Sequence, residues 1–219
     1  GPMLSRFDLI VFDWDGTLMD STAAIARSIQ SAAADLRLPV PSLAQARHVI
    51  GMGLADALAY AVPGLRPEQA QAFAARYRHH YAGYETQLVL YEGARELLDA
   101  ISQAQVPLAV ATGKSAAGLA RVLSATDLAP YFLATRCADQ THPKPHPAML
   151  NELMAELGST PERTLMIGDT THDIQMAQAA GVAVVALTQG AHHEAQLKAL
   201  QPDALFDSLS QVLRWLIPV

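Results

Sequence analysis

Residues 9–17 read Leu-Ile-Val-Phe-Asp-Trp-Asp-Gly-Thr, and this stretch decides the fold. Four apolar residues follow one another without a break and lead directly into two acidic residues and a glycine. A half-exposed strand would alternate apolar and polar residues, so an unbroken run indicates a strand buried on both faces, as in a parallel sheet. The acidic residues then lie at the carboxyl end of that strand, which is where open α/β sheets bind their ligands.

The same kind of apolar run recurs along the chain, at residues 108–111, 165–167 and 182–187. Between and after these runs the sequence has helical periodicity, at residues 94–103, 115–124, 147–157, 171–180, 193–200 and 208–216. Gly158 and Gly181 stand where helix C-caps belong. The alternation of strand and helix predicts an α/β fold with a doubly wound, Rossmann-like parallel sheet.

One long segment, residues 18–87, interrupts this alternation. It has helical patterns at residues 22–36, 43–48, 54–61 and 67–84, separated by prolines and glycines, and it has no strand pattern. We therefore expect an all-helical cap domain at residues 18–87, inserted into an α/β core domain of residues 1–17 and 88–219. The two linkers are expected near residues 17–20 and 87–91.

Composition excludes several classes of protein. Of the 219 residues, 51% are hydrophobic and 16% are charged, which is too apolar for a disordered chain. The formal net charge of −6 argues against a general nucleic-acid binder. No apolar run reaches the roughly 18 residues of a membrane helix, and no export signal follows Gly1-Pro2, which is typical of a cleaved tag. We expect a cytoplasmic protein without membrane or nucleic-acid partners. Its only cysteine, Cys137, is expected to be a buried thiol, and it excludes an intramolecular disulfide and a cysteine metal cluster.

Polar residues with related chemistry end the predicted strands. Asp13, Thr112 and Asp169 follow three of the apolar runs, and Lys144 lies in the proline-rich loop 141–145. If the strands are neighbours, these side chains converge, and carboxylates that converge repel each other unless a cation lies among them. Oxygen ligands with few protein donors favour Mg²⁺. The Thr112 hydroxyl and the Lys144 ammonium would suit a phosphate group beside the metal.

These residues also carry a resemblance to a known family. Residues 13–21, Asp-Trp-Asp-Gly-Thr-Leu-Met-Asp-Ser, resemble the first signature of the haloacid dehalogenase superfamily in its phosphatase form. Thr112, Lys144 and residues 168–173 resemble the second, third and fourth signatures, in the expected order. The helical insertion resembles the lid of the subgroup that includes phosphoglycolate phosphatase. Gly113 stands where asparagine is common in that subgroup.

The resemblance implies a catalytic role for each aspartate of the first signature. Asp13 would be the nucleophile that forms an aspartyl-phosphate, and Asp15 the general acid and then the general base. Asp13, Asp169 and the main-chain carbonyl of Asp15 would hold Mg²⁺.

The resemblance assigns the remaining core residues to the phosphate and to its support. Thr112, Gly113 and Lys144 would bind the transferring phosphate. Asp173 would anchor Lys144 or a metal-bound water. Lys114, next to Gly113, is either solvated or a further phosphate ligand.

The expected activity is that of a Mg²⁺-dependent phosphatase acting on a small phosphorylated metabolite, with phosphoglycolate as the first candidate. A hexose-phosphate mutase of the same superfamily and a non-catalytic binding protein on this fold remain alternatives. A phosphonatase is disfavoured because residues 18–87 contain no lysine for a Schiff base.

Substrate specificity is expected in the cap, where Arg47, Gly51, Met52 and Gly53 form a glycine-rich bend that could approach the core. The histidines carry no metal-ligand spacing. We interpret the adjacent pairs 79–80 and 192–193 as solvated or locally hydrogen-bonded, and His172 as part of the turn between Asp169 and Asp173.

Overall fold

The computed structural model describes residues 2–219, so Gly1 of the expected core range lies outside the described residues. Within these residues six parallel strands form one sheet in the order β3-β2-β1-β4-β5-β6. The strands are β1 (Leu9–Phe12), β2 (Leu108–Thr112), β3 (Ala134–Cys137), β4 (Thr164–Gly168), β5 (Ala183–Leu187) and β6 (Ala204–Phe206). The expected α/β fold with a parallel sheet is confirmed, and β1 lies at its centre between β2 and β4.

Helices cover both faces of the sheet, which explains why the central strands are apolar throughout. These helices are α5 (Ala94–Gln103), α6 (Ala116–Thr126), α7 (Ala148–Leu157), α8 (Thr171–Ala180), α9 (Glu194–Ala199) and α10 (Leu209–Leu216). Ile10 and Phe12 of β1 belong to one apolar core, and Leu9 and Val11 belong to the core on the opposite face. Successive side chains of a strand point to opposite faces, so each residue of β1 is needed by one core or the other.

The cap helices are α1 (Thr22–Asp35), α2 (Leu43–His48), α3 (Leu54–Ala61) and α4 (Ala70–Glu85). They share an apolar cluster that includes Ile25 and Phe73 and that Ala191, in the loop after β5, also joins. The two segments that connect them to the sheet run side by side: Met19 pairs with Leu90 in an antiparallel bridge, and the Asp20 amide donates to the Val89 carbonyl at 2.9 Å. These connections hold the cap helices over the carboxyl ends of the strands.

The two edge strands, β3 and β6, lie outside the apolar runs from which the parallel sheet was predicted. The inner strands are buried except for Ala183 at the start of β5, whereas β3 reads Ala-Thr-Arg-Cys and β6 has only three residues, all half-buried. An edge strand needs no continuous apolar run, because one of its sides faces solvent. Cys137, at the end of β3, is a buried thiol as expected, and burial raises its pKa to about 11.

The helices were also compared with the length that a membrane-spanning helix needs. In the part of the chain that the structure covers, residues 2–219, no helix combines the length and the hydropathy that crossing a membrane requires. Even α4, with 16 residues, is shorter than the roughly 20 residues that a membrane-spanning helix needs.

Candidate active site

The strand order brings three of the expected site residues to one edge of the sheet. Asp13 follows β1, Thr112 ends β2 and Asp169 follows β4, and these strands are neighbours. The Asp13 amide continues the ladder by donating to the Ile167 carbonyl at 3.0 Å. All three side chains are buried, and Asp13 is only 2% exposed. The convergence expected from the apolar runs is therefore observed.

Lys144 is a fully buried lysine between two carboxylates. Its Nζ lies 3.0 Å from Asp13 Oδ1 and 2.7 Å from Asp173 Oδ1, and the side chain is 0% exposed. Burial alone would lower the pKa of Lys144, but the charges of Asp13 and Asp173 outweigh burial and raise the pKa above its ordinary value. Lys144 is therefore a fixed positive charge.

Asp173 is held by the start of helix α8. Its Oδ2 accepts hydrogen bonds from the Asp169 amide (3.1 Å), the Thr170 amide (3.2 Å) and the Thr170 hydroxyl (3.0 Å). The Thr170 hydroxyl in turn accepts from the Asp173 amide, which completes a capping box. Burial would raise the pKa of Asp173, but Lys144 and these hydrogen bonds lower it. With Oδ2 occupied in this way, Oδ1 is left to orient Lys144.

Asp169 is fully buried and lies close against the backbone of Gly16 and Gly190. Its Oδ1 accepts from the Thr17 hydroxyl at 3.0 Å, and its Oδ2 accepts from the Ala191 amide at 2.8 Å. A Cβ atom at Gly16 or Gly190 would overlap this carboxylate, and Gly16 also has φ +81°, which favours glycine. Burial and the charge of Asp173 raise the pKa of Asp169 to about 7.

The carboxylates fit a hard divalent cation. One oxygen each from Asp13, Asp169 and Asp173 lies within 4.8 Å of the others. Asp13 Oδ2 is buried and accepts no hydrogen bond from any residue in the range 2–219. Burial and the charge of Asp173 raise the pKa of Asp13 well above its usual range, although Lys144 opposes the shift. One lysine leaves three buried carboxylates under-compensated, and the all-oxygen donors suit a metal such as Mg²⁺ or Ca²⁺.

Asp15 lies where the strand edge meets the cap helices. Its Oδ1 accepts from the Ser21 hydroxyl at 2.7 Å. Lys114 Nζ lies 3.5 Å from Asp15 Oδ2 and 5.2 Å from the centre of the Tyr81 ring of α4. The buried Tyr81 hydroxyl has no hydrogen-bond partner among the described residues. The Lys114 side chain is thus only 12% exposed and contacts the Asp15 carboxylate. Tyr81 was missed because nothing in the sequence of α4 marks it.

The cap loop, residues 49–53 between α2 and α3, lies directly on the strand edge. A Cβ on Gly51 would be 3.9 Å from Asp13 Oδ2. A Cβ on Gly113 would be 2.6 Å from the Gly51 carbonyl oxygen, and one on Gly53 would be 2.7 Å from Pro143 Cγ. Gly53 and Gly113 therefore leave no room for a side chain, whereas Gly51 is favoured by its φ of +95°. The expected approach of the glycine-rich bend to the core is thus present, and Gly113 is required by it.

The other two candidate cap residues lie differently. Met52 is half-buried and packs against the apolar cluster of the cap helices. Arg47 is half-buried, and its Nε is enclosed without a hydrogen-bond partner in residues 2–219. Its charge opposes the effect of burial on the pKa of Tyr91. Arg47 therefore keeps an unused buried donor, whereas Met52 packs on the cap helices.

Two histidines correct the interpretation drawn from the sequence. His172 and His192 are 5% and 2% exposed, and each places Nε2 near the His48 carbonyl oxygen, at 2.6 Å and 3.1 Å. Neither is solvated, and neither bonds only to its sequence neighbours. The contacts join residues 124 and 144 positions apart, a separation at which sequence spacing carries no signal.

Comparison with known proteins agrees with this geometry. The family model described as "haloacid dehalogenase-like hydrolase" matches residues 10–187. The chain is 35% identical to the "probable phosphatase IndB" of Dickeya dadantii, over 94% of this chain and 91% of that protein. It is also 35% identical to a phosphoglycolate phosphatase of Pasteurella multocida, over 96% and 98%. A crystal structure from Haemophilus somnus, described as a predicted phosphoglycolate phosphatase, superposes with a TM-score of 0.82 at 30% identity, covering 95% and 97%.

The uncompensated carboxylates predict that Asp169→Asn stabilises the metal-free protein at pH 8. An asparagine oxygen still accepts from the Ala191 amide, and its NH₂ donates to the Thr17 hydroxyl, so only the charge is lost. At pH 5 the Asp169 carboxyl, with a pKa of about 7 in the folded protein, still carries its proton, whereas the same carboxyl in the unfolded chain has lost it. Wild-type stability should therefore fall as the pH rises from about 4 to about 7.

The measurement is thermal unfolding in EDTA at pH 5 and pH 8. Asp169→Asn should unfold at least about 3 °C above the wild type at pH 8, the shift that roughly 1 kcal/mol produces at this size, with a smaller difference at pH 5. Saturating Mg²⁺ should stabilise the wild type and leave the variant unchanged. A variant less stable than the wild type at pH 8 without metal would contradict the charge argument.

Proposed function

The chain belongs to the haloacid dehalogenase-like hydrolases and is a phosphatase, and from this we propose that it hydrolyses a small phosphorylated metabolite with Mg²⁺ through an aspartyl-phosphate on Asp13. One observation carries the proposal. Asp13 is a buried carboxylate with one oxygen oriented by Lys144 and the other free of hydrogen bonds within residues 2–219. A carboxylate oriented in this way is prepared to act as a nucleophile.

Asp13 performs the first step in this proposal. Its Oδ1 lies 3.0 Å from Lys144 Nζ and accepts from the Trp14 amide at 2.7 Å. Oδ2, on the side facing Gly51, forms the new bond to phosphorus while the bond between phosphorus and the ester oxygen breaks. Lys144 favours the ionised form of the nucleophile, against the effects of burial and of Asp173, and offsets the negative charge that the phosphoryl group brings.

Asp15 moves the proton in both steps. It protonates the departing ester oxygen, and the resulting carboxylate then takes a proton from the water that attacks the aspartyl-phosphate. Ser21 and Lys114 hold its two oxygens, so that Asp15 stays at the boundary between the strand edge and the cap helices. The leaving group is expected at this boundary, next to Tyr81.

The remaining core residues bind and orient. The carboxylates of Asp13 and Asp169, together with the Asp15 main-chain carbonyl, would hold Mg²⁺, which when bound neutralises the charge of the transferring phosphate. Thr112, Gly113 and Lys144 bind the phosphate oxygens. The Lys114 amide donates to Thr112 Oγ1 at 3.1 Å, which directs the Thr112 hydroxyl hydrogen elsewhere and makes it available to a ligand. Asp173 holds Lys144 in place.

Residues 18–87 form a cap domain in this proposal, and residues up to 17 and from 88 onward form the core domain. The apolar cluster of the cap helices and the two adjacent linkers support that division. Specificity is assigned to Arg47 and to the bend at Gly51, Met52 and Gly53. Phosphoglycolate is proposed as the substrate because relatives at 35% identity carry that name and because the cap loop leaves little room above Asp13.

The test is a panel of phosphorylated metabolites, with inorganic phosphate measured in the presence and absence of Mg²⁺. Phosphoglycolate should give the highest kcat/KM, and EDTA should abolish turnover. Isomerisation of glucose 1-phosphate without net release of phosphate would identify a mutase instead. A protein that binds phosphoglycolate and releases no phosphate would be the non-catalytic alternative.

We predict that Asp13→Asn folds and loses nearly all turnover. The amide is a poor nucleophile, and removal of a covalent nucleophile usually costs several orders of magnitude in kcat. The assay is phosphate release by purified protein whose thermal unfolding shows a folded sheet. Activity above about a tenth of the wild-type value would contradict the covalent mechanism, since such a loss is far too small for a missing nucleophile.

A second prediction separates Asp15 from Asp13. Acid–base catalysis contributes roughly 10²–10⁴-fold per step, but a good leaving group such as p-nitrophenol hardly needs the acid. With p-nitrophenyl phosphate, Asp15→Ala should phosphorylate Asp13 and then stall, because no base activates water. With phosphoglycolate, whose leaving group is an alkoxide, the same variant should fail at the first step.

Rapid acid quench and intact-protein mass measurement distinguish these outcomes. A hydroxylamine-labile phosphoryl adduct should accumulate on Asp15→Ala with p-nitrophenyl phosphate and stay low with phosphoglycolate. Asp13→Asn serves as the control without an adduct. Turnover of both substrates by Asp15→Ala at the wild-type rate would show that Asp15 has no acid–base role.

A further inference from the structure

Three histidines meet where the cap helices touch the core. His48 ends α2 and directly precedes the cap loop, His172 lies in the first turn of α8, and His192 lies in the loop after β5. We call these three residues the histidine cluster. The ring centroids of each pair are 5.0–5.1 Å apart, and the His48 and His192 rings stack at an interplanar angle of 7°. The cluster lies outside the residues that the proposed reaction uses.

The hydrogen bonds define which ring nitrogen of His192 carries its proton. The Thr171 amide donates to His192 Nδ1 at 3.0 Å, so Nδ1 is an acceptor and the neutral ring carries its hydrogen on Nε2. That Nε2–H donates to the His48 carbonyl at 3.1 Å. His172 Nε2 lies 2.6 Å from the same oxygen, and a carbonyl can only accept, so His172 is also a donor.

These bonds also show that the cluster is not arranged as a metal site. Both Nε2 atoms face a carbonyl oxygen and carry hydrogen, and His192 Nδ1 is already occupied by an amide. A metal ligand would need those nitrogens deprotonated and unoccupied. What the two rings do hold is the backbone of the cap, at the residue before the cap loop.

We propose that His172 and His192 are positioning residues that hold the cap loop closed on the active site through the His48 carbonyl. Only Val49 and Ile50 separate this carbonyl from Gly51, which lies against Asp13 and Gly113. The contacts of Gly51 and Gly53 with the core are van der Waals contacts. The hydrogen bonds from His172 and His192 attach the backbone before the loop to the core.

Both donors belong to segments that also support the carboxylates. His172 is next to Asp173, which orients Lys144, and His192 is next to Ala191, whose amide binds Asp169. The same backbone segments therefore fix both the cap loop and the carboxylates. Because Nε2–H groups exchange their partner for water when the loop lifts, closure is favoured modestly and stays reversible, as substrate entry requires.

The test compares two side chains of equal length at position 172. His172→Gln keeps an N–H donor near the Nε2 position, whereas His172→Met has similar shape and no donor. The double variants His172→Met/His192→Met and His172→Gln/His192→Gln extend the comparison to both donors. His79→Ala, on the exposed face of α4, is the histidine control in the cap. Each protein is studied with Mg²⁺ by amide hydrogen exchange and by steady-state kinetics.

The exchange experiment reads the loop without requiring turnover, so its outcome is independent of the proposed reaction. Amide exchange in residues 49–53 should accelerate about threefold or more in His172→Met and about tenfold in the double Met variant, while β1 and β4 stay protected. The Gln variants and His79→Ala should stay within about twofold of the wild type. In kinetics, the Met variants should raise KM with a smaller effect on kcat, because the closed complex is less populated before chemistry.

Three results would overturn the proposal. One is wild-type exchange of the cap loop in the double Met variant. Another is equal loss of protection in the Gln and Met variants, which would assign the effect to ring packing rather than to the N–H donors. The third is faster exchange throughout β1 and β4, which would make the histidines general supports of the fold. Loss of loop protection with no turnover in any protein would support the positioning role and refute only the proposed function.

Discussion

Three carboxylates and one lysine share a buried volume at the carboxyl end of the sheet, and the rest of the molecule is organised around that electrostatic problem. Lys144 compensates part of the charge of Asp13 and Asp173, while Asp169 relies on a hydroxyl and an amide. Buried carboxylates without a full complement of positive charge resist ionisation, which is why the pKa of Asp169 rises to about 7. In the proposed reaction a divalent cation among these carboxylates would supply the missing positive charge.

The backbone holds the three carboxylates close enough together for their charges to interact strongly. The amides of Trp14, Thr170 and Ala191 each donate to a different carboxylate, from the turn after β1, the N-cap of α8 and the loop after β5. Gly16 and Gly190 make room for Asp169, because any side chain there would occupy its position. The carboxylates are thus held by backbone amides whose positions are fixed by the fold. Such preorganisation is a main source of electrostatic catalysis.

Residues at strand ends could be predicted from the sequence, whereas contacts made by docking of the cap helices could not. Asp13, Thr112, Lys144 and Asp169 were predictable because each follows a local pattern, and the parallel sheet brings strand ends together whatever the rest of the chain does. β3 and β6 do not stand out in the same way, since β3 contains Thr135 and Arg136 and β6 has only three residues, all half-buried. Tyr81 and the histidine cluster depend on how the cap helices dock, and docking joins residues that are far apart in sequence.

The docked cap loop also shows why small residues accumulate at one contact. Gly51 and Gly113 meet backbone to backbone, so a side chain at position 113, such as the asparagine common in the related subgroup, would require the loop to lie elsewhere. In the proposed reaction the buried carboxylates at the sheet edge carry the chemistry, and the loop limits the space beside Asp13. Gly113 admits the loop to this position, so changes in the loop can alter the space for a substrate without disturbing the buried charges.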